Sequence, residues 1–217
     1  MKKILQIILI IILSLITFLS VIGSIINKIK LDNTKVHDEN IVFYGDSITE
    51  GYNVKEFFEE YNVVNSGISG NKNIDLVNRI EKLYEYNPSM VIIQIGTNDL
   101  RSNIKDEEII KNIETIIKGI KKNRKQSIIM IESIYPINRD MDSEYWKNLE
   151  VEYNNEHIIK VNKKIKKLCD KYQIRYIDIY NYILNDKGSL KENYSIEGLH
   201  LNDLGYYKVT KIIKKYL

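Results

Sequence analysis

The chain has 217 residues, enough for one domain with a substantial core, and a single cysteine, Cys169, which excludes an internal disulfide and a cysteine-ligated zinc site. Lys2, Lys3, Lys28 and Lys30 are the only charged residues among the first thirty, and without them the net charge falls from +3 to −1. The remainder has no basic excess to hold a polyphosphate, which argues against a nucleic-acid binder.

Residues 4–26 are apolar or uncharged throughout, long enough as a helix to cross a hydrocarbon core of about 30 Å. Lys2 and Lys3 precede the run, as expected for a start on the cytoplasmic side, although Lys28 and Lys30 blur the charge asymmetry. The run is longer than the apolar region of a cleavable signal peptide and lacks a clear small-residue cleavage site. Residues 1–30 are therefore expected to form a signal anchor with one transmembrane helix, and the domain that follows to lie outside the cytoplasm. Secretion after signal cleavage is the alternative. Residues 31–40 are polar and aperiodic, and read as a linker with a solvated His37.

From residue 41 strands and helices alternate. Ile41–Tyr44 is a short β-prone apolar run ending at Gly45, where a sharp turn is expected before Asp46 and Ser47. A short helix over Val54–Tyr61 leads to a second strand, Asn62–Asn65. Residues Asn73–Tyr86 are expected to be one helix, with Ile74, Val77, Ile80 and Tyr84 on its apolar face and Pro88 as its stop. Met90–Ile95, apolar except for Gln94, reads as a central strand buried on both faces. Asp106–Lys122 shows the clearest helical stripe: Ile109, Ile110, Ile113, Ile116, Ile117 and Ile120. A fourth strand is expected over Ser127–Ile131, an irregular segment over 135–156, a helix over Ile158–Tyr172, a fifth strand over Ile174–Ile179 and a closing helix over Asp203–Tyr216. Trp146, Tyr145 and Tyr153 either line a cleft rim or pack. Such alternation gives an α/β fold with a parallel sheet covered on both faces, and the expected architecture over residues 41–217 is a three-layer α/β/α, flavodoxin-like, five-stranded sheet in the order 2-1-3-4-5.

The first three strands run into small polar loops: Gly45-Asp46-Ser47, Ser66-Gly67-Ile68-Ser69-Gly70 and Gly96-Thr97-Asn98-Asp99. A parallel sheet gathers such loops at the carboxyl ends of its strands, where ligands bind. A Ser hydroxyl, a Gly N–H and an Asn amide brought together there suit acyl transfer, the hydroxyl attacking a carbonyl and the donors stabilising the oxyanion. Before the last helix, Glu197-Gly198-Leu199-His200 supplies a carboxylate and an imidazole able to activate the Ser. The alternative for Asp46 or Ser47 is a helix N-cap. Asp46 and Asp99 are expected to brace their loops through backbone hydrogen bonds, and His157 to sit on the surface.

These four blocks, in this order, resemble the SGNH (GDSL) hydrolases, and most closely their acetylhydrolase-like branch. The resemblance covers residues 41–217 and implies a serine esterase that needs neither metal nor cofactor. Carried over onto this sequence, it makes Ser47 the nucleophile and His200 the general base. The oxyanion hole would be built from the N–H groups of Ser47 and Gly67 with the Asn98 amide. Glu197 stands where the family usually has Asp, so its longer side chain must fold back to reach His200. A Ser-His dyad held by a backbone carbonyl, or Asp178 as the acid, are the alternatives. The implied substrate is an ester of a small acyl group, such as acetyl, on a small molecule or a cell-surface glycan. No obligate protein partner is expected, and the membrane is contacted through residues 4–26. Lysophospholipase or lipase activity, acyl transfer to another acceptor and an inactive glycan-binding module are the competing functions.

Overall fold

The computed structural model describes residue 15 and residues 17–23, 40–141, 144–147 and 153–217. They fall into two units, one within residues 1–39 and the other spanning Asn40–Leu217. In the first, Leu15 and residues 17–23 are helical and largely exposed. The rest of the apolar run expected to span a membrane, and the linker with His37, lie outside the described residues. Among the described residues, no helix is long and apolar enough to cross a membrane.

The second unit carries a five-stranded, wholly parallel sheet in the order 2-1-3-4-5. Its strands are β1 (Asn40–Gly45), β2 (Val63–Gly67), β3 (Pro88–Gln94), β4 (Ile128–Glu132) and β5 (Arg175–Ile177). Successive side chains of β1 point to opposite faces, and both faces are buried. Val42 and Tyr44 join a cluster with Val91, Ile93, Ile129 and Ile131. Ile41 and Phe43 join another with Ile92, Met130 and Ile177. Three layers follow directly from this alternation.

On the first face lie α3 (Asn73–Asn78), α4 (Ile80–Glu85), α6 (Asp106–Asn123) and α8 (Asn155–Tyr172). The isoleucine stripe of α6 is fully buried at Ile109, Ile113, Ile116, Ile117 and Ile120, while Ile110 sits at its margin. Cys169 is buried in α8 as a small apolar residue. On the other face pack α2 (Val54–Phe57) and α9 (Asp203–Ile213), which contributes Tyr206, Val209, Ile212 and Ile213. Two further short helices, α1 (Ser47–Glu50) and α5 (Thr97–Arg101), follow the ends of β1 and β3 after one and two intervening residues. The helix α7 (Glu144–Lys147) precedes α8.

Several local expectations need correction. The helix expected over Asn73–Tyr86 is broken at Arg79, whose backbone leaves the helical region at φ −105° and ψ 18°. The break changes the buried face. Leu76 and Leu83 are fully buried, whereas Ile74 is 42% exposed. Pro88 opens β3 instead of only stopping a helix, which is acceptable at the first residue of a strand. Gly45 does not turn the chain through an unusual conformation; it is required by close packing. A β-carbon there would lie 2.1 Å from Thr49 Oγ1 and 2.3 Å from the Gln94 carbonyl oxygen.

Candidate active site

The site is assembled at the carboxyl ends of β1, β2 and β3 together with the turn before α9. Asp46 is the cap of α1: its Oδ1 accepts the Ile48 N–H at 2.9 Å. That places Ser47 at the first position of α1, with its hydroxyl beyond the strand end. Ser47 Oγ lies 2.9 Å from His200 Nε2. His200 Nδ1 lies 2.5 Å from Glu197 Oε1, so the hydroxyl, the imidazole and the carboxylate form one continuous line.

Glu197 reaches its partner by folding back over its own turn, as its extra methylene requires. The same Oε1 that faces Nδ1 also accepts the His200 backbone N–H at 2.9 Å. The turn is closed from within and braced from outside. Ser195 Oγ accepts the Gly198 N–H at 2.7 Å and donates to the His200 carbonyl at 2.9 Å. Asn138 N–H donates to the Gly198 carbonyl at 2.8 Å, and Trp146 Nε1 donates to the Glu197 carbonyl at 2.6 Å. Gly198 adopts φ +95°, and a β-carbon there would strike the Asn138 carbonyl at 2.1 Å, so only glycine satisfies both the turn and its neighbour. Trp146 is 7% exposed, and Tyr153 is fully buried; neither lines an open rim. Trp146 holds the backbone of the acidic residue, a role that a lone Trp in an irregular segment does not announce. The side chain of Tyr145 lies outside the described residues.

The groups expected to receive an oxyanion differ in how far they are already engaged. Gly67 is the last residue of β2, and its N–H already donates to Asn65 Oδ1 at 2.8 Å. Its glycine character serves packing, since a β-carbon would lie 2.1 Å from the Glu50 nitrogen. Three residues on, Gly70 is exposed, has φ +78° and faces open space. The N–H groups of Ser47 and Gly70 donate to no acceptor among the described residues. The second glycine of the Gly67-Ile68-Ser69-Gly70 loop is thus the freer donor, because positive φ turns its peptide away from the β2 ladder. Asn98 lies in the first turn of α5, and its Nδ2 donates to the Asn71 carbonyl at 3.0 Å, leaving the second amide hydrogen available.

Two residues unremarked in the sequence tie these loops together. Arg79, at the break between α3 and α4, donates to the carbonyls of Gly45 (2.9 Å) and Ser66 (3.0 Å), to Ser66 Oγ (3.1 Å) and to Asn71 Oδ1 (2.8 Å). Its guanidinium lies 4.3 Å from the centre of the Tyr44 ring. Asn73 donates its N–H to both oxygens of Asp99, at 3.2 and 3.0 Å, which fastens the β2 loop to the β3 loop. Burial raises the Asp99 carboxyl above its ordinary range against this hydrogen bond. Burial likewise pushes Asp46 up to about 7, with the Ile48 N–H opposing and the nearby Asp99 charge adding. Asp178, the alternative acid, makes its hydrogen bonds to Asn181 (3.2 and 2.6 Å). His157 sits in α8, 2.7 Å from Asp106 Oδ1. Among the described residues, no group of His, Cys, Asp and Glu side chains is arranged to hold a metal ion.

A hydroxyl, an imidazole and a carboxylate in line, at the carboxyl edge of a parallel sheet, define an α/β serine hydrolase site. The family described as GDSL-like lipase/acylhydrolase matches residues 43–208, and the chain belongs to that family. It is a serine hydrolase acting on ester bonds. Among solved structures, a Streptococcus pneumoniae protein described as a candidate platelet activating factor is 30% identical, with a TM-score of 0.74 over 82% of this chain and 83% of that one. A GDSL-like lipase from Bacteroides thetaiotaomicron is 21% identical, with a TM-score of 0.72 over 88% of this chain and 95% of that one. An acetyl xylan esterase from Geobacillus stearothermophilus is 17% identical, with a TM-score of 0.66 over 82% and 94% of the two chains. The last two likenesses concern the fold. No curated protein matches the chain.

Proposed function

We propose that this protein removes small acyl groups, acetyl first among them, from hydroxyls of a cell-surface glycan, from a position outside the cytoplasm and anchored through residues 4–26. The observation that carries the reading is the unbroken line from Ser47 Oγ through His200 to Glu197. In this mechanism Ser47 Oγ attacks the ester carbonyl while its proton passes to His200 Nε2. Glu197 holds the imidazole in the tautomer with hydrogen on Nδ1 and stabilises the imidazolium. The oxyanion is received by the N–H groups of Ser47 and Gly70 and by the Asn98 amide, with Gly70 replacing Gly67 in that role. His200 returns its proton to the departing alcohol. It then activates the water that releases the acid and regenerates Ser47.

The preference for small acyl groups and for a glycan is supported by likeness to acetyl xylan esterases and by the apolar run that would hold the domain near a cell surface. The test compares hydrolysis of p-nitrophenyl acetate, butyrate and octanoate, and of acetylated xylo-oligosaccharides, by the wild type and Ser47→Ala. Turnover falling steeply from acetate to octanoate, and lost in Ser47→Ala, is expected. Preference for octanoate, or equal rates in the two proteins, would refute the proposal. Membrane fractionation, with protease accessibility of the domain on intact cells, tests the anchor and its orientation.

A further inference from the structure

We infer that the cleft on the His200 side of Ser47 is the subsite for the alcohol half of the ester, and that Asp203 selects a neutral, hydroxylated alcohol such as a sugar over a phosphate-bearing one. This rests on the esterase reading above. A cleft of about 400 Å³ opens beside Ser47 and His200, lined further by Gly51, Ile196, Leu201, Asn202, Asp203 and Tyr206. That volume is at the small end of ligand pockets, roughly 300–1,000 Å³. No residue of the β2 or β3 loops, where the oxyanion is received, lines it. The step that expels the alcohol decides what the cleft holds. The bond from carbonyl carbon to alcohol oxygen breaks as His200 Nε2 gives that oxygen its proton, so the leaving oxygen must lie within hydrogen-bond reach of Nε2. The rest of the alcohol must then extend on the His200 side, into this cleft.

The walls state what they accept. Tyr206 is held at both ends: its hydroxyl donates to the Ile48 carbonyl at 2.8 Å, and its ring stacks on Tyr52 at 4.7 Å. The space beside it depends on residue 51, since a β-carbon on Gly51 would lie 2.9 Å from the Tyr206 hydroxyl. Ile196 is 66% exposed and gives the lining an apolar surface. The Asn202 side chain is already used, accepting the Gly205 N–H and donating to the Asn193 and Ser195 carbonyls. Asp203, exposed at the first position of α9, supplies the one carboxylate of the lining, and no lysine or arginine lines the cleft. An apolar surface and a hydrogen-bond acceptor in one lining suit a hydroxylated ring, whose C–H face would meet Ile196 while its hydroxyls donate to Asp203. A phosphate on the alcohol would meet like charge without a countercharge.

The test uses the full chain and two acetates with different alcohols: acetylated xylobiose, and p-nitrophenyl acetate, whose leaving group has no hydroxyl to donate. Replacing Asp203 by Ala or Asn should lower kcat/KM on the sugar ester by about tenfold or more, mainly through KM, and change the aryl ester less than twofold. The same variants should narrow the discrimination against an acetylated glycerol phosphate. Equal losses on sugar and aryl esters would mean that Asp203 only supports α9, and would overturn the inference, as would no loss on the sugar. Binding is read separately by calorimetry on Ser47→Ala, which cannot turn over: acetylated xylobiose should bind, and about tenfold more weakly once Asp203 is also replaced. Aryl-ester turnover with no sugar binding would sink the subsite and leave the esterase standing. Loss of both would sink the two together.

Discussion

At the scale of single residues, the site is a set of groups with one assignment each, and the hydrogen bonds predict how each change is felt. In the proposed mechanism Ser47→Ala removes the nucleophile, and it should lower kcat by about 10⁴-fold or more while leaving the melting temperature nearly unchanged. Glu197→Gln keeps the size of the side chain and loses the charge that faces Nδ1; a drop of about 10³–10⁴-fold in kcat is expected. Glu197→Asp keeps the charge and should fall between the wild type and Glu197→Gln. In this turn one oxygen serves both Nδ1 and the His200 N–H, and a side chain one methylene shorter cannot fold back over both. Replacing Gly70 by a residue with a β-carbon strains a positive φ in the β2 loop. It should slow turnover of esters more than it lowers stability, since nothing packs against that position. A stopped-flow acylation assay would read the difference. A larger kinetic effect at Gly67 than at Gly70, with the fold intact, would return the oxyanion role to Gly67.

The secondary-structure elements show why the site holds its shape. Arg79 interrupts what would otherwise be one helix so that its guanidinium can reach two strand-end carbonyls and two side chains. A lysine has no planar fork to serve those acceptors together. Arg79→Lys is therefore expected to destabilise the protein by about 2–3 kcal/mol in urea unfolding and to lower kcat more than it raises KM, because it loosens the loops that carry Ser47 and Asn71. Trp146→Phe keeps most of the packing but loses the hydrogen bond to the Glu197 carbonyl, and should cost about tenfold in kcat. On the first face of the sheet, Ile113→Ala would empty part of the α6 stripe, with an expected loss of about 2–5 kcal/mol and no change in substrate preference.

For the whole molecule, the distinctive property is a set of buried acids, Asp46, Asp99 and Glu132, each raised by burial. Glu132, at the end of β4, is buried with the Tyr135 hydroxyl as its hydrogen-bond donor, and burial raises its carboxyl to about 7 against that bond. Asp46 is raised to about 7 as well, chiefly by burial. The folded protein thus keeps these protons up to about pH 7, whereas the unfolded chain releases them near pH 4. Between those values the native state binds more protons than the unfolded one, so stability falls as pH rises through the window and levels off above it. Glu132→Gln holds the neutral form at every pH. Its melting temperature should depend less on pH between 5 and 8 than that of the wild type, with Asp46 and Asp99 supplying the residual slope. An unchanged slope would mean that Glu132 does not take up a proton on folding.

How much of this was legible beforehand follows from the range of the forces involved. Period-2 and period-3.6 patterns are local, and they carried the strands, the α6 stripe and the two buried faces of the sheet, while the strand order rested on the alternation of strands and helices and the expected fold type. The small polar loops after the first three strands, with Glu197 and His200 three residues apart, were enough to place the chemistry at one sheet edge. Sequence alone could not show that Arg79 breaks a helix, since the acceptors that reward the break belong to β1, β2 and the loop after them. Nor could it choose between Gly67 and Gly70: both are glycines in one loop, and only the packing of α1 against β2 and the Asn65 side chain commits the first. Trp146 became part of the acid's support because folding brings a distant segment within 2.6 Å of the Glu197 carbonyl. Residue type and spacing determined which groups were present and near which strand ends. Only the tertiary structure decided which hydrogen-bonding groups were already engaged and which stayed free, because contacts between distant segments settle that competition.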